Sequence, residues 1–159
     1  MYLVDTNIVS AGAPSKAAPP ATLVAWMDEN SVDLYLSAVS IAEIEGGIAR
    51  LRRLGAGRRA EDLAAWLDTL LHLYPERVLP FEVRAARIAG ILADRARSMG
   101  HDPGFADLAI AATAKLRGIT ILTRNARHFE PLGVPFLDPF VELPSGRPTP
   151  AGGERPSGH

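Results

Sequence analysis

With 159 residues the chain is long enough for one domain with a real core, and 47% hydrophobic and 22% charged residues is ordinary globular composition. It has no apolar run near the roughly 20 residues of a membrane helix, no basic-then-apolar leader, and no cysteine for disulfides or thiolate metal sites. These features predict a cytoplasmic protein with no membrane partner, and a net charge of -1 excludes generic polyanion binding by the molecule as a whole.

In chain order, Tyr2-Leu3-Val4 reads as a short buried strand with too little polar alternation for an exposed one. Asp5-Thr6-Asn7 stops it, and a helical turn reaches about Ala11. Gly12 to Pro20 is a loop. Ala21 to Asn30 is a helix with Leu23, Val24, Trp26 and Met27 as its apolar positions. Asp33 to Ser37 is a second strand. Ser40 to Arg53 is a helix, with Ile41, Ile44, Ile48 and Leu51 at helical spacing. After Gly55 and Gly57, Ala60 to Leu73 is another. Arg50, Arg52, Arg53, Arg58 and Arg59 cluster across this pair. Arginine suits bidentate phosphate contacts, although a charge run is more often a solvated helix face.

Val78 to Phe81 is a short strand. Val83 to Met99 is an amphipathic helix presenting Ala85, Ile88, Ala89, Leu92, Ala96 and Met99 on one face, with Gly100 just past its end. Asp102-Pro103-Gly104 opens an alanine-rich helix to about Arg117, whose small side chains let it lie close on a sheet. Ile119 to Leu122 is a β-branched strand, Arg127 to Glu130 a turn of helix, and Val134 to Leu137 the last strand. From Pro144 to His159 the chain is Pro, Gly, Ser and charge, and reads as a disordered tail behind a domain at 1–143. Strands alternating with helices predict an α/β fold with a short parallel sheet and right-handed crossovers.

Three acids stand out by position. Asp5 ends the first strand, and ligands of open α/β sheets bind beyond the carboxyl ends of strands. Glu43 and Asp107 fall in the first turns of their helices. Each has a plain structural explanation. Asp5 or Thr6 can cap the following helix, Ser40-x-x-Glu43 can be a capping box, and Asp107 can complement a helix dipole. Jointly they point three carboxylates at one edge of one sheet. Crowded acids raise each other's pKa, and a divalent cation relieves that cost. Hard oxygen donors without thiolate suit Mg²⁺ or Mn²⁺, ions that orient water and stabilise oxyanions in phosphodiester cleavage.

Leu3-Val4-Asp5-Thr6-Asn7, Ser40-Ile41-Ala42-Glu43, Asp107 to Ala114 and Leu122-Thr123-Arg124-Asn125 resemble, in order and mutual spacing, the four signature segments of PIN-domain proteins. The nearest subgroup is the VapC-like and FitB-like toxins of bacterial type II toxin–antitoxin pairs. The resemblance spans about Met1 to Phe140. It implies a three-layer α/β/α sandwich, a Mg²⁺-dependent endoribonuclease (Mn²⁺ substituting), a homodimer and an antitoxin partner. Carried over by motif, Asp5, Glu43 and Asp107 are the metal-binding acids, and Thr6 orients Asp5 or the water. The family's fourth acid lies after Thr123-Arg124, at the place of His128 in many members and of Asn125 in some. This chain has an acid at neither. Asn125 can coordinate or orient water through its carbonyl oxygen, and His128 can bind phosphate or stand behind the ligands. The departure bears on a second metal ion, not on the fold.

Two functions follow. In the first, Asp5, Glu43 and Asp107 hold the metal, Thr6 and Asn125 position water or metal, and an RNA phosphodiester is hydrolysed. In the alternative, a weakly or non-catalytic FitB-like subunit joins an antitoxin on promoter DNA, contacting DNA only through that complex. An aspartyl-phosphate domain is disfavoured, because Asp5-Thr6-Asn7 lacks the second aspartate such a phosphatase needs and Lys115 lies within a helix. An amphipathic antitoxin helix is expected in an apolar groove near Trp26 and the Leu63 to Leu71 helix.

Overall fold

Five short parallel strands form the centre of the computed structural model, which describes residues 1–14 and 16–145. They are β1 (Tyr2–Val4), β2 (Leu34–Ser37), β3 (Val78–Leu79), β4 (Thr120–Leu122) and β5 (Phe136–Leu137), in the spatial order β3-β2-β1-β4-β5. Val4 pairs with Leu36 on one side and Leu122 on the other, so β1 and β4 end level and β2 runs one residue further, to Ser37. The chain builds outward from β1 through β2 to β3, then returns to the opposite edge of β1 with β4. The winding therefore reverses between β1 and β4, and a ligand crevice opens at the carboxyl ends of strands where it does.

Strand alternation separates two cores. Tyr2, Val4, Leu36 and Leu122 face one apolar cluster, and Leu3 and Ile121 face the other. Both faces are covered, which is why Tyr2-Leu3-Val4 carries no polar alternation. Helices α1 (Thr6–Val9), α2 (Ala21–Glu29), α3 (Ala38–Arg53) and α4 (Gly57–Leu73) cover the first face with Ile8, Ile44, Ile48 and Leu67. Helices α5 (Val83–Ser98), α6 (Phe105–Arg117) and α7 (Ala126–Phe129) cover the second. The result is the expected three-layer sandwich. Ala85, Ala89 and Ala96 of α5 and Ala111, Ala112 and Ala114 of α6 are buried together, so small side chains bring these two helices close. Ile48 and Leu67 have no exposed surface. Truncating either to alanine costs about 2–5 kcal/mol, a large part of the roughly 5–15 kcal/mol that holds a domain together.

Several local readings change. Helix α3 begins at Ala38, capped by Ser37, whose Oγ accepts from the Val39 amide at 3.1 Å. The Ser40–Glu43 capping box therefore does not form, and Glu43 lies in the second turn. The strand-to-helix turn is tight enough for Ser37 to end β2 and cap α3 at once, leaving no linker at Ala38-Val39. Ser40 is buried instead, and its Oγ has no hydrogen-bond partner among the described residues. Helix α4 starts three residues early, and β3 and β5 keep only two residues each. Met99 lies past the end of α5 and is 49% exposed, so it leaves the predicted apolar face. Gly100 does end that helix: at φ 82 it closes a Schellman motif, with His101 N donating to Ala96 O at 2.9 Å. Of the expected tail, Pro144 is buried and Ser145 exposed; residues 146–159 lie outside those described.

Candidate active site

Asp5 stands where β1 ends and α1 begins, with extended backbone (φ -68, ψ 153) and 5% of its surface exposed. It is at once a strand-end acid and the cap of α1, as the sequence allowed. Its Oδ1 accepts from the Thr6 amide at 2.8 Å. Its Oδ2 accepts from Asn7 Nδ2 at 2.8 Å and from Thr123 Oγ1 at 2.7 Å. Thr123, fully buried beyond β4, also accepts from Asn7 Nδ2 at 3.2 Å and from the Asn125 amide at 2.9 Å. The Arg124 amide donates to Asn7 Oδ1 at 3.2 Å. Parallel register sets the loops after β1 and β4 side by side, and these bonds lace them together across the crevice.

Desolvation by burial raises the Asp5 pKa above its ordinary 3.8. The Thr123 and Thr6 hydrogen bonds oppose that rise, and the negative charges of Asp107 and Glu43 add to it. So the three acids are electrostatic neighbours at one end of one sheet. Glu43, exposed on α3, accepts a hydrogen bond from Thr6 Oγ1. Asp107, in the first turn of α6, has its Oδ2 3.0 Å from His128 Nδ1 on α7. A cleft of about 160 Å³ adjoins this pair, lined by His101, Asp102, Gly104, Asp107, Arg127 and His128. Asp102 is exposed there and pairs with Arg97. Among the described residues no three Asp, Glu or His side chains are already drawn into one metal cage. The acids share a crevice, each held by its own partner.

The structure thus gathers Asp5, Thr6, Glu43 and Asp107 at the β1–β4 reversal, and brings His128 to Asp107. Asn125 reaches Asp5 only indirectly, its amide bonding the same Thr123 hydroxyl. Thr6 serves two acids, Asp5 through its amide and Glu43 through its hydroxyl. Asn7 and Thr123 received no role from sequence, although both stood in the motifs; a polar side chain directly beyond a core strand was the available signal. Arg124, next in the chain, is exposed, its guanidinium 4.4 Å from the centre of the Phe140 ring.

Residues 2–133 match the PIN domain family. The chain is a PIN-domain protein. The VapC ribonuclease Y4jK of Sinorhizobium fredii is 35% identical to this PIN domain over 88% of the chain and 98% of the relative. Toxin FitB of Neisseria gonorrhoeae is 34% identical over 88% and 99%. Among solved structures, FitAB bound to an IR36 DNA fragment aligns with a TM-score of 0.69 and 33% identity, over 88% of this chain and 96% of that one.

Away from the acids, an apolar groove of about 260 Å³ runs between α1, α2 and α4, lined by Ile8, Leu23, Met27, Trp66 and Leu70 among others. It lies where sequence put a groove, but Trp26 does not line it. Trp26 is partly buried and packs against the core, edge-on to Tyr2 with ring centres 5.6 Å apart. Trp66 takes the place expected of it. No described helix is long and apolar enough to cross a membrane.

Proposed function

We propose that this PIN domain is the endoribonuclease toxin of a toxin–antitoxin pair, dependent on Mg²⁺ with Mn²⁺ able to substitute, and acting in the cytoplasm as a homodimer. The observation that carries the reading is Asp5: a buried carboxylate, fixed by three donors, with two further negative charges raising the cost of its ionisation. The names of the ribonuclease and toxin relatives, matched over nearly their whole length, support the same reading.

The donor set fits a hard divalent cation. Asp5, Glu43 and Asp107 offer oxygen, and a cation offsets the desolvation and repulsion that Asp5 bears. These three acids would hold the ion. When bound, it supplies positive charge at the cleaved phosphodiester and orients the attacking water. The protein's own residues do the rest. Thr123 and Asn7 hold Asp5 in one orientation, while Thr6 and His128 give Glu43 and Asp107, respectively, a hydrogen-bonding partner. Asn125, whose backbone amide is anchored on Thr123, is proposed to serve water or metal through its side-chain carbonyl.

The antitoxin is proposed to lay an amphipathic helix in the groove between α1, α2 and α4. Trp66→Ala should reduce antitoxin co-purification at least about tenfold, on the scale of an interface hot spot. Trp26→Ala should instead lower stability, because Trp26 packs edge-on to Tyr2 and does not line the groove. Undiminished capture by a folded Trp66→Ala protein would refute the placement. The DNA-bound FitAB structure favours a second role for the same chain, as the subunit that accompanies its antitoxin onto promoter DNA. That role requires no cleavage.

Expression without the antitoxin should arrest bacterial growth, and purified protein should cleave structured RNA only with Mg²⁺ or Mn²⁺. Asp5→Asn keeps shape and removes charge, so it should abolish both effects at equal abundance. Equal toxicity of the Asp5→Asn protein would sink the nuclease mechanism.

A further inference from the structure

The arginine cluster has no part in the site described above. Arg50, Arg52 and Arg53 end α3, and Arg58 and Arg59 begin α4. All five are exposed, and no acid stands between Gly46 and Ala60. Among the described residues none of the five pairs with a carboxylate; the ion pairs there involve Arg97, Arg117, His128 and the amino terminus. Helix stability explains only part of this. Positive charge is favourable at the end of α3 but unfavourable at the start of α4, where the helix dipole is itself positive. Arg58 and Arg59 therefore sit where an anion is wanted.

The cluster is also aligned with the site. Seven residues separate Glu43 from Arg50, two turns of helix, so both lie on one face of α3 about 10 Å apart. Between them on that face are Gly46 and Gly47, both exposed. A Cβ added at either would meet nothing within 4 Å, so no packing inside this chain calls for glycine, which weakens a helix interior. The two glycines leave a low strip between the acid and the arginines.

We propose that this strip is a track for the RNA backbone, with Arg50 and Arg53, joined by Arg58 and Arg59, taking phosphates a few nucleotides from the bond cleaved beside Glu43. The proposal deepens the ribonuclease reading and rests on it. A guanidinium fork matches phosphate oxygens two at a time, which lysine does not. In a chain of net charge -1, a local basic patch concentrates attraction for a polyanion at the track rather than over the whole surface.

The test uses the full chain and a short fluorescein-labelled single-stranded RNA in EDTA, so that binding is read without cleavage. Arg50→Gln/Arg53→Gln and Arg58→Gln/Arg59→Gln should each weaken binding, and the slope of log affinity against log salt should fall by about 0.7 for each phosphate left unneutralised. Arg50→Lys should keep the slope and lose part of the affinity. Arg84→Gln/Arg87→Gln on α5 should change neither. With Mg²⁺ restored, the track variants should raise KM and leave kcat unchanged. Circular dichroism confirms folding, and the single variants Arg50→Gln and Arg58→Gln serve if a double variant unfolds. Unchanged affinity and slope in folded variants would overturn the proposal. So would intact RNA binding with lost antitoxin capture, which assigns the face to a protein partner. A wild-type protein that never cleaves, yet loses slope in the variants, fails the ribonuclease reading and leaves the track standing.

Discussion

Asp5 and Asp107 flank one crevice and are held in contrasting ways. Asp5 is 5% exposed and takes hydrogen bonds from Thr6, Asn7 and Thr123, residues delivered by two adjacent strands. Asp107 sits on a helix, its side chain 23% exposed, with one described partner, His128, whose side chain is 38% exposed. Glu43 resembles Asp107, being exposed with Thr6 as its described partner. The inner acid is fixed by the fold, whereas the outer two can adjust to what enters. A site built this way sets the position of its ligand with one carboxylate and fits the rest around it, which accords with three acids that are neighbours without forming a finished cage.

If Asp5 acts through its fixed orientation, loosening it should be nearly as damaging as neutralising it. Thr123→Val keeps the shape but removes the hydroxyl that donates to Asp5 and accepts from the Asn125 amide. Cleavage should fall about 10–100-fold, as when a metal ligand loses the group that orients it. Stability should fall by about 1–3 kcal/mol, because a buried donor is left unpaired. Cleavage kinetics and urea denaturation measure the two effects, and full activity of Thr123→Val would show that the orientation is not needed.

The same burial predicts a pH dependence for metal-free protein. The folded carboxyl of Asp5 titrates above its ordinary 3.8, so folding favours the neutral acid. Its contribution to stability is fully present below 3.8 and is lost as pH rises through the raised value. The melting temperature of the wild type in EDTA should therefore drop relative to Asp5→Asn over that interval. Saturating Mg²⁺ near neutral pH should restore about 2.7 kcal/mol at a hundred times its Kd. Parallel melting curves for the two proteins would contradict both the burial argument and the role of Asp5 as ligand.

The outer side should respond more mildly. His128→Asp puts an acid beside Asp107 in place of an imidazole, and should tighten Mn²⁺ binding by about tenfold, or 1.4 kcal/mol. Asn125→Asp should tighten it less, since Asn125 is tied to Thr123 and touches none of the three acids directly. Three carboxylates cannot neutralise two divalent cations, so the wild type without RNA should show one good site and a weak second. Calorimetric titration of the three proteins ranks them. Two tight sites in the wild type would break the charge argument and direct attention to Asp102, which borders the same cleft.

Sequence alone determined a good deal here. Tyr2-Leu3-Val4 declared a strand buried on both faces, because a segment without polar alternation has no side to offer water. The alternation of strands with helices required a parallel sheet. Asp5, Glu43 and Asp107 could be singled out because each follows closely on a strand end or a helix start, where side chains meet at one edge of such a sheet. What sequence could not determine depends on contacts between distant segments. Ser40-x-x-Glu43 fits a capping box locally, yet Ser37 caps the helix, since the strand–helix turn is set by how β2 pairs with β1 and β3. Trp26 and Trp66 are alike in sequence, and only the packing of α2 and α4 sets one edge-on to Tyr2 and the other in the groove. Thr123 lies 118 residues from Asp5 and becomes its partner because β4 returns beside β1. Local rules read periodicity and caps over a few residues. Strand order and helix packing join residues far apart in the chain, so the Asp5–Thr123 bond and the crevice around it exist only once the sheet has formed.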